Sequence, residues 1–350
     1  MEPDEISSML EDIITSKNIR NVVPVISNSF RLDQVFGSER AEIPELTDDG
    51  FTIKELLTMR WAEQIRYPMP DSYKLWRVAQ YYQVKKTGTN KAKEEYLAFL
   101  KNRFLDANEK KEGYEDLIPG YRKDVRKMSF SDMVKGLGYF TDPEQVADPL
   151  FTLAKLPFPV YITTSHHDFL ERAIEQASGG LTKPRTQVIF WEPGVKYDDA
   201  IEANHEPDPN YSPTPKEPAV YHLFGFENYP GSLVLSEDDY IRFLISVVSD
   251  RDPEKPIVPP RLAQALSSSN LLMIGYQLRD WDFRVLFRLI LNYRHGDKKG
   301  VFIQLKPKNE REELSSYLRQ YFNTKQFEFE WKSSEEFIQE VWDAWEKDQA

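Results

Sequence analysis

Cysteine is absent from this 350-residue chain. That excludes disulfides, thiolate nucleophiles and the four-cysteine zinc module. Positive charge is scarce as well. Forty-five Lys and Arg stand against 57 Asp and Glu, a formal net charge of −12. Nucleic-acid affinity rests on clustered cations that release counterions, and no basic cluster is visible, so no direct nucleic-acid binding is expected. No apolar run approaches the ~20 residues that span a bilayer. The start, Met1-Glu-Pro-Asp-Glu-Ile6, lacks the basic opening of a signal peptide, so no membrane contact and a cytoplasmic location are expected. The five histidines, His166, His167, His205, His222 and His295, show no metal-ligand spacing beyond one adjacent pair, and no metal is expected.

What is present reads as a globular α/β protein. The chain is 40% hydrophobic and 29% charged, and it is long enough for one large or two ordinary domains. Strand-like runs recur at Asn21–Ile26, Val160–Thr163, Gln187–Trp191, Val220–Phe224, Leu271–Ile274 and Val301–Leu305, with helical or loop segments between them. Such alternation predicts a largely parallel sheet covered by helices on both faces. From Leu46 to Asn102 the pattern is helical throughout, a helical insert between the first two strands. Six prolines between Glu192 and Pro218 exclude a regular element there and mark a candidate lid.

Near the end, Gln326-Phe-Glu-Phe-Glu-Trp331 alternates as an edge strand does, and Ser333-Ser-Glu-Glu336 supplies a capping box for a final helix. The expected division is a nucleotide-binding domain over 1–310, with the insert at about 40–150. A C-terminal unit, 311–350, is expected to pack on it or to dock a partner.

Ligands of open parallel sheets sit beyond the carboxyl ends of the strands. Those ends are Ser27–Arg31, Thr163–Asp168, Gly275–Leu278 and Gln304–Pro307, which together should border a nucleotide cleft. Gly275 is expected to allow close approach of a ribose or phosphate.

The wording of these blocks resembles the sirtuin-like domains of bacterial conflict and defence proteins. Thr163, Thr164, Asp168 and Glu171 match a first family block that usually reads Thr-Thr-Asn-Tyr-Asp-Asp. Leu223, Gly225 and Glu237-Asp238-Asp239-Tyr240 match a second; Gly275, Leu278, Asp280 and Asp282 match a third. The resemblance spans roughly Asn21 to Leu305. It implies a Rossmann-type sheet and binding of NAD or an ADP-ribose-type nucleotide, contacted by Ser27, Asn28, Ser29, Thr163, Thr164, Asp168, Gly275, Tyr276 and Gln304. It further implies NAD glycohydrolase chemistry in an antiviral defence or stress system, with a homo-oligomer or a defence protein as partner.

The departures are as specific as the matches. Ser165 stands at the family's catalytic asparagine, Phe224 at its catalytic histidine, and Ser27-Asn28-Ser29 at its Gly-Ala-Gly phosphate loop. Sirtuin deacylases carry a zinc module built on four cysteines, which argues against deacylation here. Ser165, His166, His167 and His222 are the candidate replacement catalysts, since imidazole titrates near neutral pH. The plainer reading makes His222 a hydrogen-bonded core residue, one of the paired histidines a helix cap, and Asp280 and Asp282 a charge pair for the following helix. Two functions stay open: a hydrolase with rearranged catalytic groups, and a nucleotide-binding sensor or scaffold that has lost the chemistry.

Overall fold

The computed structural model describes residues 9–37, 51–86, 88–140, 148–192, 211–250, 256–277, 280–294, 300–305 and 327–349. Seven strands form one sheet: β1 (Val22–Ile26), β2 (Val160–Thr163), β3 (Arg185–Val188), β4 (Ala219–His222), β5 (Asn270–Tyr276), β6 (Val301–Leu305) and β7 (Phe327–Trp331). The spatial order is β3-β4-β2-β1-β5-β6-β7, and each neighbouring pair is parallel. β3 lies two residues earlier than the sequence suggests and ends before Trp191. One ladder bond carries on to Ile189, whose amide donates to His222 O (3.2 Å), and Trp191 packs as core beyond the strand instead of pairing.

Side chains alternate across a strand, so a sheet covered on both faces must bury both sets. Along β1, Val22 and Ile26 join one core while Val23 and Val25 join the other. Leu272 and Ile274 of β5 face the first core, Leu271 and Met273 the second. The first core holds the insert helices Ile53–Ile65, Leu75–Lys86 and Thr89–Asn108, the helix Phe169–Ala177, and the final helix Ser334–Gln349. The second holds Glu237–Ser249, Pro260–Ser268 and Trp281–Tyr293. The class is therefore α/β, a doubly wound parallel sheet with a helical insert.

Helix starts follow local chemistry. Thr52 accepts from the Glu55 amide while the Glu55 carboxylate accepts from the Thr52 amide, closing a capping box; Ser236 and Asp239 repeat it. Ser333 and Glu336 exchange the same two bonds at the last helix, whose Phe337, Ile338 and Val341 are buried. No helix among the described residues is long and apolar enough to cross a membrane.

Candidate functional site

β1 is flanked by β2 on one side and β5 on the other, so the chain reverses its winding direction there. Crevices at such reversals, outside the carboxyl ends of the strands, are where this architecture takes ligands. Ladder bonds carry into the loops: the Thr164 amide donates to Ile26 O (3.0 Å) and the Ser27 amide to Ile274 O (3.0 Å). Ser27–Arg31, Thr163–Asp168 and Gly275 thus meet at one end of the sheet. Leu278, Lys306 and Pro307 lie outside the described residues, as do His205, His295 and positions 193–210 of the proline-rich segment.

Most polar groups of this floor already bond to one another. Gly275 has φ +83° beside a register shift between β5 and β6, and a Cβ there would lie 2.7 Å from Ser27 Oγ and 2.6 Å from the Phe30 ring. The space that glycine leaves is therefore filled by the chain itself. Ser27 Oγ donates to Gly275 O (2.8 Å) and contacts Ser29 Oγ (2.7 Å). Gln304 is buried, with its carbonyl accepting from the Gly275 amide (2.7 Å) and Ser334 Oγ (3.1 Å), and its NH2 donating to Lys332 O (2.7 Å). Thr164 Oγ1 and the Tyr276 hydroxyl lie 3.3 Å apart, and Thr163 Oγ1 donates to Ile26 O. Asp168, N-cap of the 169–177 helix without a capping bond, accepts from Arg172 Nε at 2.6 Å. Neither adjacent histidine caps that helix.

Asp282 ties three segments together. Its carboxylate accepts from Asn28 Nδ2 (2.7 Å), Lys54 Nζ (2.7 Å) and the Tyr240 hydroxyl. Burial alone raises an acid, but the Lys54 ammonium and these bonds outweigh it and hold the Asp282 carboxyl below the ordinary range. Asp282 thus does more than complement a helix terminus. Its helix-mate Asp280 is the N-cap, without a side-chain capping bond. Beside this hub opens a cavity of about 410 Å³ walled by Lys54, Tyr73, Trp76, Tyr240 and Trp281.

The histidines divide sharply. His222 is fully buried, with Nδ1 2.7 Å from Ser165 O and Nε2 2.8 Å from Glu171 Oε1. A carbonyl only accepts, so Nδ1 carries a proton, and Nε2 faces the Glu171 carboxyl group. Burial lowers the imidazolium's pKa, yet Glu171's charge and bond prevail and raise it. His167 Nδ1 meets Glu227 Oε1 at 3.1 Å. Glu227 also accepts from the Phe130 amide and from Ser131 Oγ (2.7 Å), and these partners overcome burial and push it down to about 2.

His166 is also buried, but its Nε2 has no hydrogen-bond partner among the described residues. Burial, then the neighbouring His167, push it down to about 3, and Lys54 and His222 add to the effect. It is neutral at pH 7.

Phe224 faces core, not crevice. It is fully buried, edge-on to Tyr240 (5.4 Å) and Phe243 (5.3 Å). Ser165 Oγ accepts from the His167 amide (3.1 Å), a turn within its own loop. The groups that sequence reasoning missed are Lys54 and Glu227, and for Arg31, expected only as a border of the cleft, the buried partners. Arg31 is bonded to Asp148 (2.6 Å) and to Phe169 O (3.0 Å). Nothing in the spacing signals Lys54, 228 positions from Asp282. Glu227, an acid just past a buried strand end, was findable.

The fold is that of a Rossmann-type α/β protein with a crevice at the winding reversal. Within that class, residues 159–326, from the start of β2 to just before β7, match the SIR2-like domain family. The chain carries a SIR2-like domain and is sirtuin-like. No curated protein matches the chain.

Proposed function

We propose that this protein binds NAD or an ADP-ribose-type nucleotide in its SIR2-like crevice and does not cleave the N-glycosidic bond at an appreciable rate. The observation that carries this reading is the state of the three positions nearest the family's chemistry. Phe224 cannot move a proton and is locked edge-on in core. His222 has both ring nitrogens committed, to Ser165 O and to Glu171, and is not free to serve as a base. His166 is neutral but, pushed down to about 3, is a weak base at pH 7, where proton transfer is served best by a group titrating near the working pH.

Recognition is better provided for. The Asp282–Lys54–Asn28 cluster orders the post-β1 loop, the aromatic-walled cavity beside it suits a nucleobase, and His166 Nε2 is a polar atom awaiting a partner. A nucleotide reaching Gly275 takes the place of the Phe30 ring. The protein then acts as a sensor or scaffold, passing occupancy to a partner protein or a second copy, in a bacterial defence or stress response as the family resemblance suggests.

The rival reading, a hydrolase using His166, draws on the same unpartnered nitrogen. Calorimetry with NAD, ADP-ribose and ATP tests the proposal: saturable binding of the first two supports it, and no heat from either removes it.

A further inference from the structure

A second cavity, of about 580 Å³, lies away from the Asp282 hub, between the Thr89–Asn108 helix, residues 125–132 and the loop after β4. Six charged side chains line it, and five are accounted for. Arg126 pairs with Glu95 (2.8 Å), Lys127 with Asp124 (3.2 Å), Asp132 with Arg172 (2.7 Å), Glu227 is saturated as described, and Glu94 is exposed to solvent.

Lys101 is the exception. It is 6% exposed, and no hydrogen bond or ion pair joins its amine to any described residue. The side chain is nearly enclosed while its amine lines the cavity, so an ammonium with no bonded partner is set where a counter-charge can arrive from outside. Burial lowers the Lys101 pKa, and the charge of Glu227 offsets only part of that.

We propose that this cavity binds a small molecule bearing an oxyanion, phosphate or carboxylate, with Lys101 as its counter-ion. A lysine presents a compact positive charge that suits either group. The volume is that of a metabolite pocket, where an anion fixes orientation and the remaining walls read the rest. Arg126 and Lys127 at the wall add positive potential, and the exposed amide of Asn228 offers a neutral contact. The cavity shares only Glu227 with the crevice loop, through His167, and its test reads Lys101 and anions rather than nucleotide binding, so its failure would leave that reading untouched.

The test uses the whole protein with inorganic phosphate and, separately, acetate as probes at low ionic strength. Binding is followed by titration calorimetry, and accessibility of the Lys101 amine by acylation with acetic anhydride and mass spectrometry. At least one anion should bind and protect Lys101 from acylation while the exposed lysines label as before. Lys101→Met should weaken that binding by about tenfold or more, and Lys101→Arg should retain it within a few fold. Phosphate alone protecting identifies a phosphorylated ligand; acetate alone, a carboxylate. If neither anion protects Lys101 in the native protein, or Lys101→Met binds as tightly as native, the proposal is wrong. The labelling arm needs no variant and decides the matter even where Lys101→Met fails to fold.

Discussion

At the end of β4, His222 has an acceptor for each ring nitrogen; in the loop after β2, His166 has none for Nε2. Both imidazoles are buried, yet one has its pKa raised and the other lowered. Burial alone would make both neutral, so the Glu171 carboxylate decides the difference. The lesson concerns chemistry. A histidine with both nitrogens tied to fixed partners is not free to shuttle a proton, and one pushed far below neutrality is too weak a base, so residue type and position near a crevice do not make a catalyst.

The largest effect should come from restoring the family pair, which breaks the contrast at its source. Ser165→Asn with Phe224→His should raise nicotinamide release from NAD by about 100-fold or more over native, the lower range for one general acid–base group. A chromatographic product assay checks it. No gain would show that the packing around position 224 keeps the site inactive, beyond the side chain itself.

The next largest effect, on stability, should come from removing the imidazole that pairs with Glu171. His222→Leu leaves the buried Glu171 carboxylate with only Thr186 Oγ1 and should cost about 3–5 kcal/mol in chemical denaturation, the usual toll for half a buried pair. His222→Gln, which keeps a donor toward Ser165 O, should cost clearly less.

The two imidazoles should also pull stability in opposite directions with pH. His166 has its folded pKa lowered from 6.5 to about 3, so its contribution is present above pH 6.5 and lost as pH falls toward 3. At pH 4 the loss comes to about 3 kcal/mol. His222, with its folded pKa raised, contributes fully below pH 6.5 and loses that contribution as pH rises through its folded value. Denaturation midpoints of His166→Phe between pH 7 and 4 should therefore fall less steeply than those of the native protein. An unchanged slope would contradict the assignment. Glu227 adds to the native acid limb between pH 4.5 and 2, and the variant leaves that part in place.

The smallest expected effect falls on affinity. His166→Ala removes one buried, unpartnered polar atom from the Thr163–Asp168 loop and should weaken ADP-ribose binding by about five- to tenfold, one hydrogen bond's worth. Equal affinity would place the ligand elsewhere.

Much of the fold was legible in the sequence because sheet strands buried on both faces read as continuous apolar runs. β2 and β6 fall where those runs do, and Ser236 and Ser333 cap as their spacing indicates. β3 starts earlier than the apolar run suggests because its first residues, Arg185 and Thr186, are polar, while Trp191 is apolar for packing rather than for pairing. The crevice segments were legible as strand ends, but their state was not. Lys54 meets Asp282 across 228 positions, Glu227 meets His167 across 60, and such partners decide charge without leaving a local pattern. The Phe30 ring over Gly275 is of the same kind: sequence marks the glycine, and only the fold shows what fills the space beside it.

The central claim is that ligand recognition has outlived bond cleavage, and nicotinamide release by the native protein tests it most directly. With NAD at a concentration that calorimetry shows to saturate the crevice, release over several hours should match a protein-free control. Steady release above that control, abolished in His166→Ala while ADP-ribose still binds, would contradict the claim and make His166 the catalyst.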